Sequence, residues 1–313
     1  MKPVKLILDT DIGGDCDDAG ALAMLHALAD RGECEILAVT HCCRGRQYGE
    51  CIEAINRYYG RADIPVGVFA DSSTASDGND VYASAIAERF PSQTAYSDSL
   101  TLLRKTLAQA EDGEVTLAVI GSMHTMRRLL ESEPDEFSSL NGRELIRRKI
   151  SSTVVMGGRF HKSWPEPIVF PDGYVVDTEF NIRDDIPSAR HVCREWPGEL
   201  TMCSYEIGYP IITAQEFQKS VRVSNPAAMC YRLWHERTGV NGLGRESWDL
   251  ATVLYAVRPE AEIWKLHPDG RISIDEKGIT TWEKAPGRQR YLLENLPHED
   301  VRALIDGLLR ERI

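Results

Sequence analysis

The chain has 313 residues, 42% of them hydrophobic, and carries 48 acidic against 36 basic side chains for a formal net charge of −12 at pH 7. That length and apolar content suffice for a sizeable core. The acidic balance, with no long basic run, argues against a nucleic-acid or anionic-membrane partner and for a small molecule.

The opening "MKPVKLILDTD" holds an apolar stretch of only a few residues that ends in carboxylates, so it reads as neither a signal peptide nor a membrane span, and a cytoplasmic address is expected. Apolar, β-branched runs then alternate with segments of helical period. "VKLIL" precedes a helix over 17–31, in which Ala21, Leu22, Leu25, Leu28 and Ala29 make one apolar stripe; "EILAVTH" precedes a helix over 47–60. "PVGVFA" follows, then a helix near 98–110, "VTLAVIG", a helix near 123–131, and "STVVMGG". After 260 the chain reads as short strands ("RISID", "GITTW", "RYLLE") and a closing amphipathic helix from about 297. This order predicts an α/β fold: one domain over 1–313 with a mostly parallel central sheet flanked by helices. Residues 71–97 and 158–178 are long for plain connectors and are expected to be lids or binding loops.

Eight cysteines (Cys16, Cys34, Cys42, Cys43, Cys51, Cys193, Cys203 and Cys230) are scattered without CxxC pairs, which predicts reduced, packed thiols. The adjacent Cys42 and Cys43 are the one pair with a redox alternative.

The segment "LILDTDIGGDCDDAGAL" concentrates chemistry. Asp9, Asp11, Asp15, Asp17 and Asp18 fall within ten positions, and no Lys or Arg lies between Lys5 and Arg31. One or two of these aspartates could favour the positive end of the helix that follows. Five at the carboxyl edge of a strand, where a parallel sheet places its ligands, would repel one another unless a cation is held among them. The donors on offer are hard oxygens, with no His or Cys at coordinating spacing, so Ca²⁺ or Mg²⁺ is implied rather than Zn²⁺. An EF-hand starting at Asp9 fails, because Gly13 and Gly20 stand where ligands are needed. A haloacid-dehalogenase-type phosphatase, with Asp9 as nucleophile and Mg²⁺, stays open as an alternative.

"DTDIGGDCDDAGAL" between a strand and a helix resembles the opening of the inosine-uridine nucleoside hydrolase family, with a loop two residues longer. "AINRYYGRADIPVGV", "VVMGG", "TEFNI" and "SWDLATVLYAV" follow in the family's order across most of the chain. The resemblance implies a nucleoside hydrolase-like single α/β domain that hydrolyses the N-glycosidic bond of ribonucleosides with a bound Ca²⁺. It implies Asp11, Asp18, Asp249 and the main-chain carbonyl of His124 as metal ligands, and Asp11 as the base for the attacking water. Asp17 would hold a ribose hydroxyl. Glu179 and Asn181, two apart on an extended segment, would bind the outer hydroxyls from one side. A homo-oligomer, dimer or tetramer, is the family's habit.

The other half of the expected site departs from the pattern. Trp248 stands where members place a histidine that helps the base leave; an indole stacks on a base but cannot protonate it. The family's Gly-Asn after the second strand is replaced by Arg44-Gly45, and the asparagine before "EFN" falls near Asp172 or Gly173. His41, His124, Tyr82 and Asp172 are the remaining acids within reach, each better explained by a local hydrogen bond. Trp164, Trp234 and His235 read as core or oligomer contacts. A relative that binds ribosyl compounds with weak catalysis is therefore a further alternative.

Overall fold

The first apolar run becomes strand Val4–Thr10, in which Leu6 to Thr10 are all buried, the mark of a strand covered on both faces. It lies inside a nine-stranded sheet. From it the chain steps outward through Cys34–His41, Val66–Val68 and Ser97–Asp98, then returns to the other side with Val115–Val119, Ile150–Met156, Leu200–Cys203 and Gln289–Glu294. These eight pair in parallel, and Trp264–Leu266 closes the edge antiparallel to Gln289–Glu294. The strand order reverses between Val4–Thr10 and Val115–Val119, so a crevice opens at their carboxyl ends. The computed structural model describes residues 2–70, 78–161, 168–169, 175–176, 178–219, 224–240, 242 and 244–312, and the architecture is a single α/β domain.

Helices cover both faces of the sheet. Asp17–Asp30, Arg46–Tyr58, Pro226–Thr238, Trp248–Val257 and His298–Leu309 pack into one apolar cluster; Ser99–Gln109, His124–Glu131, Gly142–Lys149 and Ile186–Glu195 pack into the other. Helix Asp17–Asp30 is buried all round from Asp17 to Leu28 rather than along one stripe, because helices Pro226–Thr238, Trp248–Val257 and His298–Leu309 enclose it. Its N-cap is Cys16, with no side-chain capping bond, so capping does not account for Asp17 or Asp18.

Two further expectations change. Residues 71–97 are not one irregular loop: 83–89 form a short helix whose Ala83, Ile86 and Ala87 are buried beside helix Arg46–Tyr58, a segment too brief for its period to register in the sequence. The late strands also split. Arg271–Ile274 and Thr280–Glu283 make a separate hairpin, whereas Gln289–Glu294 joins the main sheet. All eight cysteines are buried and none is in a disulfide. Among the described residues, no helix is long and apolar enough to cross a membrane.

Candidate active site

The loop from Asp11 to Cys16 crosses the carboxyl end of strand Val4–Thr10 at the switch point. Gly13 makes its turn at φ +137°, a value that a side chain would strain. Its N–H donates to the Tyr82 hydroxyl at 3.0 Å, the same hydroxyl donates to the Asp15 carbonyl at 2.6 Å, and Val81 N–H donates to the Gly13 carbonyl at 2.7 Å. With the loop held on these bonds, the aspartates on and beside it part in different directions.

Asp9 lies outside the cavity lining. It is fully buried, accepts from Thr40 Oγ1 at 2.5 Å, and burial pushes its carboxyl up to about 8. Asp15 turns to Arg245, whose Nε lies 2.8 Å from Oδ1. The cation missing from the local sequence is thus supplied from 230 positions away.

Asp17 and Asp18 meet Asp249, with one carboxylate oxygen of each within 4.8 Å of the others and no more than 5% of any of the three residues exposed. Asp249 arrives on the first turn of helix Trp248–Val257, and its N–H donates to Asp17 Oδ2 at 3.2 Å. Two helix amino ends therefore converge on the same carboxylates, each bringing partial positive charge. Thr10 donates its hydroxyl to Asp18. Burial pushes all three carboxyls well above the ordinary range, with Asp15 adding most to Asp17, Asp11 to Asp18 and Asp17 to Asp249. Three desolvated carboxylates so close cannot all ionise alone, and an all-oxygen donor set suits a hard divalent cation.

These residues line a cavity of about 560 Å³ that also takes in Asp11, Glu179, Asn181 and Trp248. Asp11 is outside the tight trio, but it raises Asp18 and Asp249 through space, and its own carboxyl is pushed to about 7 by burial and then by Asp184. Glu179 and Asn181 do not sit on an extended segment. Glu179 is the N-cap of helix Phe180–Asp184, where its carboxylate accepts from the N–H groups of Asn181 at 2.7 Å, Ile182 at 3.1 Å and Gly158 at 3.2 Å. Asn181 Nδ2 donates to the carbonyls of Ile120 at 2.9 Å and Met156 at 3.3 Å, at the ends of two sheet strands. The helical turn, rather than strand alternation, brings both to the cavity.

His124 opens helix His124–Glu131, and its ring turns away from the trio: Nδ1 is 2.7 Å from Ser122 Oγ and Nε2 is 3.1 Å from Asp185 Oδ2. That ring instead joins Cys42 and Cys43 in a second cluster of possible ligand atoms. The sequence spacing concealed it, because the strand order, not the chain order, makes residues 42 and 124 neighbours.

The rest of the cavity is aromatic and cationic. Tyr205 and Trp248 stack at 5.3 Å between centroids and 29° between planes, and Trp248 Nε1 donates to the Tyr205 carbonyl at 3.0 Å. The Arg245 guanidinium lies 5.0 Å from the Trp248 ring and 4.5 Å from that of Trp234. Trp234 is buried in the core as expected, and it also lines the cavity, as do Arg159 and Asp184. Tyr205, Arg159, Arg245 and Asp184 come from separate segments with no shared motif, so the sequence held no signal for them. No histidine is among the described lining residues. His41 is buried between the carbonyls of Ile12 and Cys43, with burial holding its pKa down at about 4, and Tyr82 is committed to the loop. Asp172, Gly173 and Trp164 lie outside the described residues.

The inosine-uridine preferring nucleoside hydrolase profile matches residues 6–293. Solved structures of the same fold include the inosine-uridine preferring nucleoside hydrolase from Bacillus anthracis (19% identity, all of both chains, TM-score 0.71). They also include the purine-preferring ribonucleoside hydrolase from Gardnerella vaginalis (17% identity, 98% of this chain and 99% of that one, TM-score 0.70). A third is the type III effector protein XopQ complexed with adenosine diphosphate ribose (17% identity, 99% of this chain and 94% of that one, TM-score 0.70). No curated protein matches the chain in sequence. Its motifs, its fold and the profile match agree: the chain belongs to the inosine-uridine preferring nucleoside hydrolase family, whose members are N-glycosyl hydrolases of ribonucleosides.

Proposed function

We propose that this chain hydrolyses the N-glycosidic bond of a ribonucleoside or related ribosyl compound in a Ca²⁺-dependent reaction, releasing base and ribose. The observation that carries the proposal is the meeting of Asp17, Asp18 and Asp249 in one desolvated cleft, in a cavity that Glu179, Asn181, Tyr205 and Trp248 also line. Asp11, Asp18, Asp249 and the His124 carbonyl are assigned as the ligands, with Asp17 holding a ribose hydroxyl. When bound, Ca²⁺ supplies the positive charge that keeps these carboxylates ionised and lowers the pKa of water.

Asp11, at the end of the first strand and in the cavity wall, takes the proton from the attacking water. Glu179 is held by three backbone N–H groups and Asn181 by two carbonyls, so both are pre-positioned to bind the outer ribose hydroxyls. The surrounding carboxylates favour the positive charge that grows on the sugar as the bond breaks. At the leaving group Trp248 offers a face for stacking and no proton, since its one N–H is already given to Tyr205. The phosphatase alternative loses support, because its nucleophile would be Asp9, which is fully buried and outside the cavity lining. The lack of a histidine among the described lining residues favours, as a second reading, a relative that binds ribosyl compounds and turns them over slowly. XopQ, a structural neighbour held with adenosine diphosphate ribose, makes that compound a sensible member of any ligand panel. A cytoplasmic homo-oligomer completes the proposal.

Replacing Asp11 with Ala should lower turnover by several orders of magnitude while part of the ribose affinity survives, because the base is gone and the hydroxyl contacts remain. Steady-state kinetics beside ribose-binding calorimetry read the two effects separately. Equal loss of both would assign Asp11 to binding alone.

Trp248 in the place of a histidine sets the substrate preference. Inosine and uridine should be cleaved slowly and a nitrophenyl riboside comparatively fast. The 2′-deoxy analogue should lose about 3–5 kcal/mol in kcat/KM for want of its charge-assisted contacts. Rapid uridine cleavage would refute the argument from Trp248, and indifference to the 2′-hydroxyl would refute the ribose site.

Burial raises the Glu179 carboxyl from 4.5 to about 7. Between those values the folded state holds a proton that the unfolded chain has released, so this group's contribution is complete below pH 4.5 and is lost as pH rises through 7, up to about 3 kcal/mol. In urea unfolding of the chelated protein, Glu179→Gln should flatten the fall of stability across that window. A slope equal to that of the parent would contradict the assignment.

A further inference from the structure

Consecutive side chains on an extended strand point to opposite faces. Cys42 and Cys43 lie just past strand Cys34–His41, where the chain bends, and their sulfurs come to 3.9 Å of each other. A ring nitrogen of His124, from the other side of strand Val4–Thr10, lies within 4.8 Å of both. None of the three residues is more than 5% exposed. Ser122 Oγ stands between them, 3.4 Å from Cys42 Sγ and 2.7 Å from His124 Nδ1. On the far side of the ring, Asp185 Oδ2 is 3.1 Å from Nε2. With Nε2–H donated to that carboxylate, the Nδ1 lone pair faces Ser122 and the cysteine side, which is how metal-binding histidines are oriented from behind.

We propose that Cys42, Cys43 and His124 form a second metal site, separate from the carboxylate trio, that takes a thiophilic, tetrahedral cation of the zinc class. Two thiolates on one such ion, each at about 2.3 Å, stand about 3.8 Å apart, close to the sulfur separation already present. His124 Nδ1 is the third donor, its lone pair passing to the ion as the Ser122 hydroxyl, 2.7 Å away, turns from it. The Ser122 hydroxyl, or a water from the cavity that Cys43 lines, fills the fourth position. Each thiol gives up its proton as its sulfur bonds to the ion, so two protons are released, the two thiolates balance the charge of the ion, and no oxidant is needed. The oxygen trio selects a hard cation and the sulfur–imidazole set a soft one, so both sites can be filled together. They share a wall: a Cβ built on Gly121 would lie 2.9 Å from Cys42 Sγ and 2.8 Å from the Asp11 amide nitrogen. Zinc here would tie the end of strand Cys34–His41 to the first turn of helix His124–Glu131, directly behind Asp11.

The test titrates the reduced, chelator-treated, Ca²⁺-saturated chain with Cd²⁺, which reports sulfur ligation by ultraviolet charge-transfer absorbance. One Cd²⁺ per chain should bind with that band. Cys42→Ser and Cys43→Ser should each remove about half of the band and weaken binding at least about 100-fold, and Asp185→Asn should keep the band while weakening binding about 10- to 100-fold. Asp249→Asn should leave the charge-transfer band unchanged, since a Cd²⁺ held by the oxygen donors gives none. Cys51→Ser is the control: Cys51 and Cys230 are also 3.9 Å apart, but they join no such cluster among the described residues. A Ca²⁺-induced thermal shift confirms that each cysteine variant is folded; should Cys42→Ser fail, Cys43→Ser at the cavity wall gives the same readout. No band at one equivalent, a band that persists in the Cys42→Ser/Cys43→Ser chain, or one that disappears with Asp249→Asn would overturn the proposal.

Discussion

Three carboxylates taken out of water within 4.8 Å of one another are the constraint around which the rest of this molecule is arranged. No basic residue in the immediate sequence offsets them. The fold does so with the amino ends of helices Asp17–Asp30 and Trp248–Val257, the Thr10 hydroxyl, and an arginine that arrives from position 245 to hold Asp15. Those contributions remain small beside the desolvation of three charges. The trio is stable with protons or with a cation, and hard oxygen donors suit the cation proposed above.

The same constraint explains the location of the cleft. A parallel sheet turns its helix amino ends toward the carboxyl edge, and reversal of strand order beside Val4–Thr10 leaves a gap there. Helix Asp17–Asp30 must be buried on all sides to carry Asp17 and Asp18 inward, and three other helices enclose it. The halves of the cavity that the proposal gives to sugar and to base then differ in chemistry. The first is fixed by backbone bonds to Glu179 and Asn181; the second is a stack of Tyr205, Trp248 and Arg245, which attracts a flat or electron-rich group without acting as an acid.

Legibility in the sequence tracked the range of the interactions. Strands of the central sheet and the start of helix Asp17–Asp30 were readable because apolar periodicity is local. Helix Ala83–Arg89 was not, since seven residues carry less than two turns of signal. The aspartates were visible as an anomaly of charge density, and ordered motifs assigned roles to Asp11, Asp18 and Asp249. Their counter-ion was invisible, because Arg245 meets Asp15 only after the chain has crossed the whole sheet. The Cys42–Cys43–His124 cluster escaped for the same reason. Glu179 and Asn181 were placed in the cavity for the wrong geometric reason: a spacing of two suggests a strand, and a helix cap followed by its first turn brings both residues to the same wall.

The central claim is that Asp18 and Asp249 hold one calcium ion. Calorimetric titration of Ca²⁺ into the chelated protein at neutral pH tests it most directly, with Asp249→Asn run beside the parent chain. The account predicts one site per chain in the parent and a loss of affinity in the variant of at least about 100-fold, as expected when a charged ligand is removed from a site whose tightness depends on the number of charged ligands. Absence of Ca²⁺ binding in the parent, or equal affinity in both proteins, would contradict it.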